Sequence, residues 1–476
     1  MRHTKIVATV GPASDNSAIL CDLITAGVDV FRLNFSHGTA EEHRRRIRRI
    51  RQAGKETGRE VAILQDLCGP KMRVGEMPAS GVELVAGSKI AVTTDEILGN
   101  ALRFSCQYDG LPHDVKTGDR LLLDDGKLEL RVLTVEGGEV KCEVVRGGIL
   151  SSRKGMNLPG VEVSAPAVTP KDLEDLAVGL EEGVDFVALS FVRRPEDVAE
   201  VRRLIEQRHA SAQVIAKIER PEALARLEEI LREAHGIMVA RGDLGVEMDV
   251  ATVPIAQKKM ISAANLADRY VITATQMLES MTSNIAPTRA EVCDVANAVL
   301  DGSDALMLSG ETAAGSYPKE AVIMMDRIAR EVEAYARQQR HSWDWGKLNP
   351  RHPVEDALGH AVFQLVEDLD AKAIAVFTPT GGTALFLSKS RPKVPILAFT
   401  AAHDAYRRLR LMWGVEPIMD KNIAGMKDLK ARACEQTLRR DIAQPGDRII
   451  VVGGTRFGGI GSADSIEVVT VKQPMH

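Results

Sequence analysis

Short apolar runs rich in β-branched residues recur along the chain and end at polar or glycine-rich tips. They occupy residues 5–10, 28–34, 60–66, 184–190, 213–219, 236–243, 270–276 and 303–310. Such runs mark buried parallel strands, because helices on both faces of a sheet remove the alternation that a solvated face imposes. Between them, stretches 43–55, 171–182, 196–209, 221–234, 253–268 and 288–300 carry apolar residues at helical spacing. Eight strands alternating with helices predict an α/β fold, a (β/α)8 TIM barrel built from residues 1–70 and 171–345. These segments total about 245 residues, where such barrels take roughly 250.

Residues 71–170 interrupt the series after the third strand. GSKIAVTT, LLLDDGKLELRVLTV and EVKCEVVRGGIL alternate in short segments between glycines, which predicts an inserted small β-barrel domain. An insertion in a βα loop lies over the carboxyl ends of the barrel strands, so this one is expected to act as a lid. Residues 340–352 mix charge, glycine and proline and read as a linker. A helix near 353–368 and the runs AKAIAVFT, VPILAFT, GVEPIM, DRIIVVGG and SIEVVTV follow. They predict a C-terminal α/β domain of about five strands over 346–476, expected to be regulatory.

Composition narrows the function. With 61 basic against 66 acidic residues, a net charge of -5 and 4% aromatics, the chain lacks the basic coat and stacking rings of a nucleic-acid binder. The basic runs at 44–51 and 202–208 read as charged helix surfaces. Cys21, Cys68, Cys106, Cys142, Cys293 and Cys434 form no CxxC pair, so reduced thiols are expected rather than disulfides or zinc. The first residues enter a strand-like run without the apolar core of a signal peptide, and no apolar segment approaches 18 residues. A cytoplasmic protein that spans no membrane is therefore expected. Met277 and Met281 read as packing residues, and His113 and His235 as surface residues.

In a barrel of this kind, chemistry is carried by residues at the carboxyl ends of the strands. Those positions hold Arg32, Asn34 and Ser36; Asp66; Ser190; Lys217 and Glu219; Arg241, Gly242 and Asp243; Thr275 and Gln276; Ser309 and Glu311. A buried charge must be paired, coordinated or neutralised. Glu219 and Asp243 fall on neighbouring strands and offer oxygen ligands suited to magnesium. Lys217, two residues before Glu219, projects to the same side of its strand. A lysine beside a metal and opposite an arginine suits a phosphoryl group in transfer. No GxxxxGK[ST] loop and no kinase set of Gly-rich loop, HRD and DFG is present. A nucleotide must then be held by the barrel mouth and the insertion.

At this point the motifs VGPAS, FRLNFSHG, QDLCGPKMR, SSRKGMNLPG, AKIER, VARGDLGVE, ATQMLESM and PTRAEVCDVANAVLDGSDALMLSGETAAGSYP resemble pyruvate kinase. They run along the whole barrel and both borders of the insertion; the C-terminal domain resembles the family more loosely. The resemblance implies transfer of a phosphoryl group from phosphoenolpyruvate to ADP, giving pyruvate and ATP. It implies that Arg32 and Arg73 hold the phosphoryl group and that Lys217 stabilises its charge. Glu219 and Asp243 would bind one Mg2+, and a second would arrive with the nucleotide. Asn34, His37, Lys154 and Gly242 would lie on the nucleotide and cofactor side. Thr275 would border the enolate, and Ser309 would belong to a proton relay.

One departure from the family pattern is informative. Where many members read Asp-Thr-Lys-Gly-Pro-Glu and bind potassium, this chain reads Asp66-Leu67-Cys68-Gly69-Pro70-Lys71. Leu67 removes an oxygen ligand, and the Lys71 ammonium can supply the missing positive charge. The pair resembles the potassium-independent class, with Asn34, Ser36, Asp66 and Ser190 expected as a polar pocket around the Lys71 head. In the C-terminal domain, Thr378, Thr380, Gly381, Gly382 and Thr383 precede a helix expected near Ala384, an arrangement that favours phosphate. The resemblance implies a phosphorylated allosteric effector there, a sugar monophosphate or AMP, with Arg456 closing on it, and a homotetramer. Two other functions compete. A magnesium-dependent lyase or aldolase on pyruvate-like enolates would need neither Arg73, Lys154 nor a nucleotide-covering lid. A non-catalytic phosphoenolpyruvate sensor would lack one of the charged groups.

Overall fold

The computed structural model describes residues 1–338, 353–454 and 463–472; the linker read at 340–352 lies outside the described residues. Strands β1 (Lys5–Thr9), β2 (Val30–Asn34), β3 (Ala62–Asp66), β4 (Phe186–Leu189), β5 (Gln213–Ile218), β6 (Gly236–Ala240), β7 (Tyr270–Ala274) and β8 (Ala305–Leu308) pair in chain order. β8 returns to β1, and every pairing is parallel, so the barrel closes. β1, β3, β6 and β7 are buried at every position, which is why these runs do not alternate.

The surrounding helices start where their caps dictate. Thr39 with Glu42, Thr169 with Asp172 and Thr288 with Glu291 each form a reciprocal capping box, satisfying two otherwise orphaned backbone donors. One apolar core lies between strands and helices and includes Met277 and Met281, as expected. A second fills the barrel interior with side chains such as Val30, Leu64, Phe186, Ile215 and Met307. The strand read at 236–243 ends at Ala240, because Arg241–Glu247 turns into a short helix.

The insertion wraps one apolar core of its own. Its strands form a six-stranded sheet and a separate two-stranded ribbon, Val82–Leu84 with Gly148–Leu150. Residues 72–75 join the two edges of that sheet, Met156–Asn157 and Arg103–Ser105: the Met156 N–H donates to Met72 O at 3.0 Å and the Val74 N–H to Lys154 O at 2.8 Å on one side, and the Gly75 N–H donates to Ser105 O at 2.7 Å and the Gln107 N–H to Arg73 O at 2.9 Å on the other. Asn157 donates to Glu247 at 2.8 Å and Arg220 donates to Leu158 O and Val161 O, tying the insertion to the mouth of the barrel.

In the C-terminal part, β9 (Ile374–Phe377), β10 (Ile396–Thr400), β11 (Val415–Met419), β12 (Arg448–Gly453) and β13 (Ser465–Thr470) form one sheet in the order 11-10-9-12-13. Only the pairing of β12 with β13 is antiparallel. This layer docks on the amino ends of the barrel strands. Lys389 and Arg391 reach Asp304, just before β8, at 2.5 and 2.8 Å. Lys5 donates to Val415 O at 2.7 Å, and Arg407 pairs with Asp185 at 2.7 Å. The insertion and the C-terminal layer thus occupy opposite ends of the barrel. His113 is exposed. His235, expected at the surface, is instead half-buried beneath the C-terminal layer, where its Nδ1 accepts the Val214 N–H at 3.1 Å.

Candidate active site

The parallel register brings charges from four strands together at the mouth. Arg32 lies opposite Thr9 on β1, and Asn34 opposite Asp66 on β3. The Arg32 guanidinium donates to Asp66 at 2.7 Å and to Thr9 Oγ1 at 3.1 Å. Lys217 Nζ sits 2.8 Å from Glu219 Oε1, 3.3 Å from Asp66 Oδ1, and donates to Ser190 Oγ at 2.8 Å. Ser190 in turn donates to Leu67 O at 2.7 Å.

These groups are almost removed from solvent: side-chain exposure is 12% for Lys217 and 2% for both carboxylates. Burial pushes the Lys217 pKa down, but Asp66, Glu219 and Asp243 outweigh it and raise it above the usual lysine value. Burial pushes Asp66 upward, yet Lys217 and Arg32 overcome that and hold it below the usual carboxylate range. For Glu219 burial wins: Lys217 and the Phe191 N–H at 2.8 Å oppose it, nearby Asp243 adds to it, and the pKa is raised. The Glu219–Asp243 side of the cluster therefore carries negative charge that the protein cations do not fully compensate. An oxygen-only pair of that kind fits a hard divalent cation. Among the described residues no third His, Cys, Asp or Glu completes a cluster, so further ligands would come from water or substrate.

The facing wall is strained. Thr275 and Gln276 have φ of 68° and 53°, which costs about 1–2 kcal/mol for residues bearing a Cβ. Thr275 Oγ1 accepts the Gly242 N–H at 2.8 Å and donates to Ala274 O at 2.6 Å. Arg241, one of the strand-tip candidates, is a structural tie: it donates to Thr275 O at 2.6 Å and to Asp294 at 2.7 Å. Ser309 Oγ is buried without a partner among the described residues, while its N–H donates to Glu311 at 2.7 Å. Asp243, Thr275, Gln276 and Ser309 line a cleft of about 1040 Å³ that Asp125 of the insertion also borders.

Similarity to known proteins matches this architecture. The family model "Pyruvate kinase, barrel domain" matches residues 1–322, and "Pyruvate kinase, alpha/beta domain" matches residues 356–469. The chain belongs to the pyruvate kinase family. It is 45% identical to the pyruvate kinase of Geobacillus stearothermophilus over 470 residues, covering 98% of this chain and 80% of that one. It is 46% identical to pyruvate kinase 2 of Synechocystis sp. over 481 residues, covering 99% and 80%. The crystal structure of a pyruvate kinase from Cryptosporidium parvum superposes with a TM-score of 0.90 at 36% identity, covering 99% of this chain and 96% of that one. The chain is thus a glycolytic phosphotransferase that converts phosphoenolpyruvate and ADP to pyruvate and ATP, which displaces the lyase and sensor readings.

Within this pyruvate kinase the other expected residues divide into two groups. Arg73 extends from the edge of the insertion and donates to Arg153 O at 2.9 Å. Lys154 pairs with Asp124 at 2.8 Å and remains 39% exposed. His37 is exposed at the rim, and slight burial followed by Lys71, Arg73 and Arg32 lowers its pKa, so these cations share one region of the mouth. Asn34 caps its own turn, accepting the Ser36 N–H at 3.1 Å. The Gly242 N–H is already taken by Thr275, so it is not a free donor toward a ligand.

Lys71 departs from expectation. Its side chain is exposed and makes no ion pair or hydrogen bond among the described residues. Asp66 and Ser190, expected around its head, are held instead by Lys217, and Asp66 also by Arg32. Leu67, in contrast, is buried in the core between strands and helices.

In the C-terminal layer the Thr378–Thr383 turn is built as expected, with the helix starting at Gly382 rather than Ala384. Gly381 takes φ of 100°, which a Cβ would oppose, and its N–H donates to Thr378 Oγ1 at 3.0 Å. Arg456 lies outside the described residues. Three supports escaped the sequence reading: Asp124 beneath Lys154, Thr9 beneath Arg32, and Asp172, which accepts the Gly69 N–H at 3.1 Å. Only the last carried a signal, since Asp172 closes a Thr-x-x-Asp capping box. All six cysteines are free thiols, and no helix among the described residues is long and apolar enough to cross a membrane.

Proposed function

We propose that Arg32, Arg73 and Lys217 hold and neutralise the transferring phosphoryl group, and that the reaction depends on magnesium held by Glu219 and Asp243. The observation that carries this reading is the buried Asp66–Lys217–Glu219 cluster beside Asp243. Bound there, the ion supplies positive charge to the substrate's carboxylate and phosphate oxygens; a second arrives with the nucleotide. Lys217, kept protonated by three carboxylates, acts as a fixed positive charge and not as a proton donor at neutral pH. Asp66 anchors both cations, so that neither has to reorganise when charge shifts from one side of the phosphoryl group to the other.

The enolate left by transfer needs a proton at carbon. Thr275 borders that face, and Ser309, with its unpartnered hydroxyl, belongs to the relay that delivers the proton. Asn34, His37 and Lys154 lie toward ADP; Lys154 swings in from the insertion, released from Asp124. Transfer toward ATP is favoured because the enol product tautomerises to the stable ketone.

The reaction needs no potassium in this reading. Buried Leu67 offers no oxygen ligand, and the unpaired Lys71 ammonium adds its charge to the field at the rim rather than filling a cation pocket. We further propose a cytoplasmic homotetramer whose Thr378–Thr383 turn takes a phosphorylated effector, a sugar monophosphate or AMP.

The test is pyruvate release coupled to lactate dehydrogenase, with phosphoenolpyruvate, ADP and magnesium, in potassium-free buffer and again with potassium. ADP-dependent turnover without potassium, abolished by a magnesium chelator, is expected. Turnover only with potassium overturns the Leu67 and Lys71 argument and leaves the phosphoryl-transfer roles standing. Turnover that survives chelation overturns the metal assignment.

A further inference from the structure

The chain leaves the barrel for the insertion after β3 and returns through residues 156–165, which begin at the short strand Met156–Asn157. Three barrel side chains grip this return. Arg193, after β4, donates to Val163 O and to Ala165 O, the latter at 2.6 Å. Arg220, directly after Glu219 at the end of β5, donates to Leu158 O and Val161 O, each at 3.2 Å. Glu247, the last residue of the short helix that begins at Arg241, accepts the Asn157 side-chain amide at 2.8 Å. Leu158, Val161 and Val163 belong to the insertion's own core, so the grip reaches its packing.

Two of these residues also face each other. Arg220 Nη2 lies 3.7 Å from Glu247 Oε2, and Arg220 Nε lies 3.4 Å from Glu222 Oε2. The Arg220 and Glu247 side chains are only 5% and 4% exposed. Even so, Arg220 Nε, Glu222 Oε2 and Glu247 Oε2 make no hydrogen bond among the described residues. A closed guanidinium–carboxylate pair stands at about 2.7–2.9 Å, so Arg220 and Glu247 are brought together but not closed. An open buried pair is costly, because its charges have left water without gaining full contact. Its members hold particular positions. Arg220 follows Glu219 in the chain, and Glu247 lies one helical turn after Asp243 on the same helix face. Closure of the pair therefore brings together the two elements that carry the Glu219 and Asp243 carboxylates.

We propose that Arg220 and Glu247 are positioning residues of the reaction, which link the stance of the insertion to the spacing of Glu219 and Asp243. The inference rests on the reading of Glu219 and Asp243 as the magnesium ligands, and it adds the residues that adjust them. When the two carboxylates share a divalent cation, the Asp243 helix moves toward β5 and the Arg220–Glu247 pair closes. Through Asn157 and the Leu158 and Val161 carbonyls the same movement reaches the insertion, which brings Asp125 to the cleft. The coupling is reciprocal. Loosening the grip on the insertion weakens the cation site, although neither Asn157 nor Glu247 is a ligand.

The test is titration of the full chain with Mn2+, which takes the same oxygen ligands as magnesium. Free Mn2+ is read by electron paramagnetic resonance, without nucleotide or phosphoenolpyruvate. The variants are Asn157→Ala, Glu247→Gln and, as the ligand control, Asp243→Asn, each checked for an unchanged thermal midpoint before titration. Asn157→Ala changes a half-buried side chain of the insertion, so it carries the comparison if Glu247→Gln fails to fold. Asn157→Ala and Glu247→Gln are each expected to weaken Mn2+ binding about fivefold or more, and Asp243→Asn to abolish it. In the wild-type chain, Mn2+ is expected to slow amide exchange over residues 156–165. Wild-type affinity in Asn157→Ala and Glu247→Gln with binding lost in Asp243→Asn makes the grip structural only, which overturns the inference and leaves the metal assignment standing. Exchange over 156–165 that Mn2+ leaves unchanged does the same. Mn2+ affinity that Asp243→Asn does not alter overturns both.

Discussion

Lys217 and Glu219 stand two residues apart at the end of β5, and the ammonium of one lies 2.8 Å from the carboxylate of the other. The contact follows from strand geometry, because residues i and i+2 project to the same face. The same ammonium also reaches Asp66 at 3.3 Å, so it separates two buried carboxylates that would otherwise confront each other. Lys217→Met should lower kcat at least about a hundredfold and destabilise the fold by about 3–5 kcal/mol. Adding Glu219→Gln should restore part of the stability and none of the turnover. Urea unfolding beside steady-state kinetics checks this; a double variant as unstable as the single one would contradict it.

Thr275 exchanges backbone comfort for position. Thr275→Gly should relieve the strain of a φ of 68°, a gain of about 1 kcal/mol, while freeing the Gly242 N–H and removing the hydroxyl from the cleft. The expected variant is at least as heat-stable as the wild type and slower in kcat, measured by calorimetry and the coupled assay. A slower variant of lower stability would mean that the hydroxyl's two hydrogen bonds outweigh the strain.

Asp304 holds the C-terminal layer to the barrel. It accepts Lys389 and Arg391, and also the Val271 N–H at 2.8 Å, with all three side chains nearly inaccessible. Burial lowers the pKa of Lys389 to about 8 even though Asp304 opposes the shift. Asp304→Asn removes the carboxylate that both buried cations contact directly and should cost about 3–5 kcal/mol. The loss should appear first in the C-terminal layer, as faster amide exchange in β9 and β10 than in β3 of the barrel.

Two buried histidines set an acid limit on stability. Burial, with Arg337 and Lys5 nearby, lowers His3 from 6.5 to about 3; burial, only partly opposed by the His37 carbonyl, lowers His43 from 6.5 to about 4. Between these values and 6.5 the unfolded chain binds more protons than the folded one. Their contribution is therefore complete above about pH 6.5 and is lost as the pH falls, at about 1.4 kcal/mol per pH unit for each histidine. His43→Gln, which keeps a donor toward His37 O, should flatten the urea midpoint against pH between about 6 and 4. An unchanged slope would mean that His43 does not carry the acid transition.

Much of the site was legible because of where its residues stand in the repeat. Arg32, Asp66, Lys217 and Glu219 each occupy the polar end of an apolar run, and in a parallel barrel all such ends face one mouth. The partners of those residues were less legible. Nothing in the order of the chain says that Thr9 lies under Arg32 or that Asp124 holds Lys154, since each pairing joins segments whose separation is set by closure of the barrel or folding of the insertion. Lys71 shows the same limit from the other side. The resemblance to potassium-independent relatives implied a polar pocket around its head, but Asp66 and Ser190 of that pocket are taken by Lys217.

The sequence by itself determined the eight-strand repeat, the place of the insertion, the charged strand tips and the glycine-dependent turn at Gly381. Each is a local pattern of apolar period, turn chemistry or cap, and local patterns survive without knowledge of what packs against them. Only the tertiary structure decided which cation holds Asp66, that Arg241 is a tie, that His235 lies under the C-terminal layer, and that Arg220 and Glu247 face each other beside the return of the insertion. Those outcomes depend on which buried charges come within about 3–4 Å of one another. That distance is fixed by the stagger of strands and the docking of layers, not by spacing along the chain.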